Sequence, residues 1–139
     1  MTSGPLKIKF QNDLKKSLVH LEYSFKKIQM LNPHFSESDE ETLETFESFA
    51  ARFARSSDIF TSHYLRILVL EQDPGFRGSF LDLLNLAEKL NLIESTKIWY
   101  RIRELRNIAA HEYTGDELKK LYQEMAQLTS AILDLQKKL

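Results

Sequence analysis

Two arginines, an amide, an imidazole and a phenol fall within eleven residues of an otherwise leucine-rich chain, in Arg103-Glu104-Leu105-Arg106-Asn107-Ile108-Ala109-Ala110-His111-Glu112-Tyr113. A guanidinium grips a phosphate through two parallel charge-assisted hydrogen bonds and does not lose its proton. An imidazole titrates near neutrality, so it can take or give a proton in a transition state. Cleavage of RNA through attack of the ribose 2′-hydroxyl needs only these functions and no metal ion. A histidine near a helix C-terminus also has its protonated form favoured by the helix dipole, which suits a general acid. The plain alternative is a solvated helix face, because arginines and a histidine on a surface helix are common.

Spacing constrains how such a site can be assembled. Arg106 and His111 are five residues apart, so on a regular helix they point about 140° away from each other. Either the helix loosens after Arg106 or the two groups meet through a second copy of the chain. Arg103, Asn107 and His111 recur every four residues and share one face. That face lies opposite Ile102, Leu105 and Ala109, so it is expected to be free of the chain's own core. Lys97, Arg101, Arg103 and Arg106 supply local positive charge, tempered by Glu104 and Glu112.

The elements around this stretch read as helices. The chain has 139 residues, 42% hydrophobic and 28% charged, enough for one domain with a real core. Only four glycines and three prolines interrupt it, which favours long helices over a turn-rich β fold. No cysteine is present, which excludes disulfides and thiolate metal sites. A net charge of −1 excludes a globally basic nucleic-acid binder, so any RNA contact must use a local basic patch. No run of residues has the length and apolarity of a membrane span and no signal peptide is evident, so a cytoplasmic location is expected.

Residues 1–4 are expected to be disordered, with a first helix starting at Pro5. Its stripe of Leu14, Leu18, Leu21, Phe25 and Ile28 steps by threes and fours. After a connection from Asn32 to Glu37, Ser38 and Glu41 have capping-box spacing. A second long helix then carries Leu43, Phe46, Phe49/Ala50, Phe53, Phe60, Tyr64 and Ile67/Leu68 to about Gln72, bent near Ser56-Ser57. Asp73-Pro74-Gly75 is a turn. Ser79 can cap a short third helix with Leu83, Leu84, Ala87 and Leu90 inward. A fourth, from about Thr96, turns Ile98, Trp99, Ile102, Leu105 and Ala109 inward. Thr114-Gly115-Asp116-Glu117 is a second capping box, opening a last helix with Leu118, Leu121, Met125, Leu128, Ile132, Leu135 and Leu139 as its stripe. The predicted fold is all-α: one domain over residues 1–139, an up-and-down four-helix bundle with an additional short helix.

Arg106-Asn107-Ile108-Ala109-Ala110-His111-Glu112-Tyr113 resembles the signature of HEPN-domain toxins, in which an arginine, a polar residue and three more positions precede a histidine, which is followed after any residue by a tyrosine. The position late in the fourth helix of an all-helical chain also fits. The resemblance covers the chain in helix order, but only the eight-residue motif is specific. It implies a homodimeric, metal-independent endoribonuclease toxin of a type II toxin–antitoxin pair, neutralised by a nucleotidyltransferase-type antitoxin, with no cofactor. Both protomers would bring Arg and His to one cleft. On this resemblance Arg106 would bind the scissile phosphate and His111 act as acid and base, with Asn107 and Arg103 in support. Tyr113 would be the tyrosine that such an antitoxin can adenylylate, or an RNA contact; its alternative is an aromatic packed on Thr114 and the last helix. A different reading from the same resemblance is a non-catalytic accessory subunit that binds nucleotide or substrate for a minimal nucleotidyltransferase. Arg52, Arg55 and Asp58 are read as a solvated face, whereas the resemblance places a polar cluster there. His20, His34 and His63 show no ligand spacing, and no metal site is assigned. Gly75 and Gly78 are isolated loop glycines.

Overall fold

The computed structural model describes residues 3–109 and 114–139. It is all-helical, with no strand among the described residues. Helix α1 spans Ser3–Ile28, α2 Glu40–Asp58, α3 Leu65–Gln72, α4 Phe80–Lys89, α5 Thr96–Ala109 and α6 Gly115–Leu133. A π-helical turn, Ile59–Tyr64, joins α2 to α3 without a break, and a 3₁₀ turn, Asp134–Lys138, extends α6. Four long rods (α1, α2 through α3, α5, α6) and the short α4 make the expected bundle. Its directions follow from the side chains that meet. Lys7 reaches Glu71 and Ser17 meets Ser56, so α1 runs against α2 and α3. Asp58 meets Arg106 while Thr61 meets Arg103, so α5 runs against α2.

The buried stripe of α1 is Leu14, Leu18, Leu21 and Ile28, as its spacing predicts, with Phe25 partly covered. The helix starts at Ser3, so Ser3 and Gly4 belong to it and Pro5 sits in its first turn, where its missing N–H costs nothing. The connection after α1 is held by the Asn32 side chain, which accepts the His34 N–H at 2.8 Å, and by Phe35, which is buried and stacks on Phe46.

Three of the expected caps differ in outcome. At α2 the cap is Asp39, not Ser38: its carboxylate accepts the Thr42 N–H and hydroxyl, and these bonds hold its pKa below the ordinary range. At α4 the box is complete. Ser79 Oγ accepts from Asp82 N at 3.1 Å, and Asp82 Oδ2 accepts from Ser79 N at 2.9 Å. Gly78 is needed beside it, because a Cβ there would lie 2.8 Å from the Asp82 Cβ. At α6 the Thr114 side chain makes no cap bond; the Glu37 carboxylate instead accepts the N–H of Gly115, whose φ of +66° suits glycine.

The largest departure lies in the long middle rod. An unbroken α-helix would bury Ile67 and Leu68; the buried residues are Leu65 and Val69. The π turn accounts for the shift. The Leu65 N–H donates to the Phe60 carbonyl five residues back, so one extra residue enters the turn and rotates everything after it. The turn begins at Ile59, two residues past the Ser56-Ser57 pair near which a bend is expected.

Helices α4 and α5 are clamped at their joint. Asn91 adopts a left-handed conformation with φ of 60°, and Leu92 N donates to Ala87 O at 2.8 Å, ending α4 in a Schellman motif. Thr96 then donates its N–H to Glu88 and its hydroxyl to Leu84 O. In α5, Trp99, Ile102 and Leu105 are buried, and Trp99 lies 4.7 Å from Phe60 ring to ring. Ile98, expected inward, is 38% exposed, because Trp99 takes the core position beside it.

Candidate functional site

The last two turns of α5 present Arg103 and Arg106 to the seam with α2. Three residues apart, they lie on one side of the helix. Each finds its partner on the middle rod because the two rods run in opposite directions.

Arg106 is gripped side-on by Asp58. Its Nε donates to both carboxylate oxygens at 3.0 Å and its Nη2 donates to Oδ2 at 2.8 Å. About one third of each side chain is exposed. The hydrogen bonds to Asp58 and its negative charge raise the Arg106 pKa above its ordinary value, so the guanidinium is charged at any working pH. Among the described residues its Nη1 has no hydrogen-bond partner, so as far as they go one edge is free for an anion. Asp58 is therefore part of the site and not merely a solvated residue, which corrects the expectation drawn from spacing alone. Arg52 also leaves the solvated face: it donates to Ser24 Oγ at 2.8 Å and to the His20 carbonyl, tying α2 to α1. Arg55 is exposed, as expected.

Arg103 is held differently. Its guanidinium stacks 4.0 Å from the Phe80 ring centre, and Nη2 donates to the Thr61 and Ser62 hydroxyls at 3.3 and 3.4 Å. Its Nε is buried with no partner. Among the described residues no carboxylate pairs with it. The expectation that the Arg103 face is free of its own core is thus half right: Asn107 is exposed, while Arg103 is half-buried against α4 and the π turn. Arg101, on another side of α5, is committed to Glu124 of α6 through bonds of 2.6 and 2.7 Å, and that pairing lowers the Glu124 pKa.

Arg106 also borders a cleft of about 350 Å³ between α2, α5 and α6. Besides Arg106, it is lined by Glu47, Ala50, Ala51 and Ala54 of α2, Ala109 of α5, and Leu118, Leu121 and Tyr122 of α6. Alanines on a helix otherwise studded with phenylalanines leave room there. The phenol of Tyr122, stacked on Phe46, has its pKa pushed up to about 12, chiefly by burial and secondly by the Glu47 carboxylate.

His111 and Tyr113 lie outside the described residues. Of the predicted site residues, Arg103 and Arg106 are brought together on one seam, and Asn107 is exposed. Among the described residues no three His, Asp or Glu side chains converge as a metal-binding group, and no helix is long and apolar enough to cross a membrane. Sequence reasoning missed Thr61, Ser62 and Phe80 as partners of Arg103, and it named Asp58 only within a polar cluster that the resemblance placed there, preferring a solvated face. The only signal for Thr61 and Ser62 was a run of polar residues on an otherwise apolar rod, Phe80 on α4 had none, and spacing within one helix does not reveal which residues of another it will meet.

No family model, curated protein or solved structure matches the chain.

Proposed function

We propose that the chain is a metal-independent endoribonuclease, the toxin of a type II toxin–antitoxin pair, working in the cytoplasm as a homodimer and neutralised by a nucleotidyltransferase-type antitoxin. The observation that carries this reading is the state of Arg106. It is permanently charged, fixed side-on by Asp58, open at Nη1, and five residues upstream of His111 at the lip of a cleft. A preorganised guanidinium with one free edge is what stabilisation of a phosphorane-like transition state asks for. His111 supplies the proton transfers that a 2′-hydroxyl attack needs, and its 140° offset (about, on a regular helix) from Arg106 favours a site completed by a second copy. Tyr113, two residues beyond, is close enough in sequence for adenylylation to put bulk and negative charge beside the reacting phosphate.

The test is a complementation assay on RNA in the presence of a chelator. Arg106→Ala and His111→Ala should each abolish cleavage while keeping the helical fold, and mixing the two unfolded and refolded together should restore measurable cleavage. Cleavage by His111→Ala alone, or no recovery in the mixture from two folded dimeric variants, would overturn the reading.

A further inference from the structure

The Asp58–Arg106 pair poses an electrostatic problem for any polyanionic substrate. A carboxylate and a guanidinium bonded at 2.8–3.0 Å sum to no net charge, so the pair orients a phosphate without drawing a strand toward it. The attraction must come from a neighbour, and Arg103 is the neighbour that no carboxylate pairs with among the described residues. Its setting is hard to explain by stability alone. One donor, Nε, is buried and unused, and its two hydroxyl contacts are long at 3.3 and 3.4 Å. An unpaired buried donor is unfavourable, and a methionine of similar length would cover Phe80 without that cost. The stack on Phe80 and the two hydroxyls nevertheless hold the guanidinium plane in one pose, with no bond made by Nη1 among the described residues.

We propose that Arg103, braced by Phe80, Thr61 and Ser62, is a second phosphodiester site that holds the phosphate next to the one at Arg106. This rests on the reading of the protein as a ribonuclease. Two residues three apart on a helix have Cβ atoms about 5–6 Å apart, a stride that successive phosphates of a flexible single strand can match. The strand would then run along the last turns of α5, over the seam with α2, with Arg103 supplying net charge and Arg106 the oriented donor at the bond to be cut. An arginine stacked on an aromatic ring is fixed in advance, so little side-chain entropy is lost when the phosphate binds.

The experiment measures binding of a fluorescent single-stranded RNA oligonucleotide to full-length protein carrying His111→Ala, which prevents cleavage, across a salt series. Adding Arg103→Met, which keeps the packing on Phe80, should weaken binding and reduce the slope of log Kd against log salt by about 0.7, the loss of one neutralised phosphate on a single strand. Arg103→Lys should keep the slope, since the charge remains, and weaken binding less. A role confined to packing would move the melting temperature and leave the slope unchanged, and an unchanged slope in Arg103→Met overturns the proposal. If Arg103→Met does not fold, Phe80→Leu decides: it keeps the charge but removes the brace, and unaltered affinity overturns the proposal. Wild-type protein that neither binds nor cleaves RNA would overturn the ribonuclease reading together with this one, whereas cleavage with an unchanged slope would overturn this one alone.

Discussion

A guanidinium clasped along its Nε edge keeps its charge but loses its freedom to rotate, and both consequences matter for Arg106. Asp58 fixes the plane in which the open Nη1 is offered, so it acts through Arg106 rather than on a substrate. Replacing Asp58 by Asn keeps the size and loses the charge-assisted pair. With both side chains about one third exposed, the cost in stability should be no more than about 1 kcal/mol. On the proposed ribonuclease reading the cost in rate should be larger, on the order of 10- to 100-fold in kcat with a smaller change in KM, because misplacing a donor at the reacting phosphate is penalised more heavily than losing a surface pair. Single-turnover cleavage alongside a melting curve separates the two. A variant that loses rate only in proportion to its folded fraction would show that Asp58 serves stability alone.

Among the elements, the two caps around the functional end of the bundle make opposite predictions. Ser79 holds a reciprocal box with Asp82, so Ser79→Ala should cost about 1 kcal/mol, roughly 3–5 °C in melting temperature. Thr114 makes no side-chain cap bond, so Thr114→Ala should be nearly neutral, and thermal melts of the two variants side by side check this. Both positions carry the same kind of sequence signal, and only one forms. The same contrast runs through the elements generally. Leucine spacing placed the buried stripe of α1 and most of that of α6, but α6 packs against α1, α2 and α5, so it also buries Tyr122 and Thr129 and leaves Leu118 and Leu128 only partly covered. The middle rod misled at Ile67 and Leu68, since nothing in Ile59–Tyr64 announces a π turn and the hydrophobic pattern is compatible with an unbroken helix. For the site, residue chemistry pointed to Arg106, but Asp58 became its partner through the register between two rods some fifty residues apart in sequence (48). Register is a property of packing, and spacing within one helix is blind to it.

For the molecule as a whole, alkaline pH offers a readout of how tightly the cleft is packed. Tyr122 is buried and stacked on Phe46, and its phenol is held neutral up to about 12. The sign follows from the raised value. Below pH 10 the phenol is protonated in both folded and unfolded chains and its packing contributes in full. Between pH 10 and 12 the unfolded chain ionises and the folded one does not, so stability falls. Tyr122→Phe should flatten the decline of melting temperature across that window while leaving the value at pH 7 nearly unchanged. An identical decline in the variant would show that other groups govern it.

The π turn also bears on how this chain can vary in length. One surplus residue between Phe60 and Leu65 sets the rotational phase of α3 against α2, so Asp58 meets α5 above the turn while Leu65 and Val69 enter the core below it. Losing a single residue there would swing the lower segment by about 100° and carry Leu65 and Val69 out toward solvent. Exposed His63, within the same turn, has no such duty beyond its stack on Phe10. The length of this short segment is therefore under tighter constraint than the identity of several residues inside it, and because Thr61 and Ser62 lie within it, an insertion or deletion there would disturb the bracing of Arg103 together with the packing of α3.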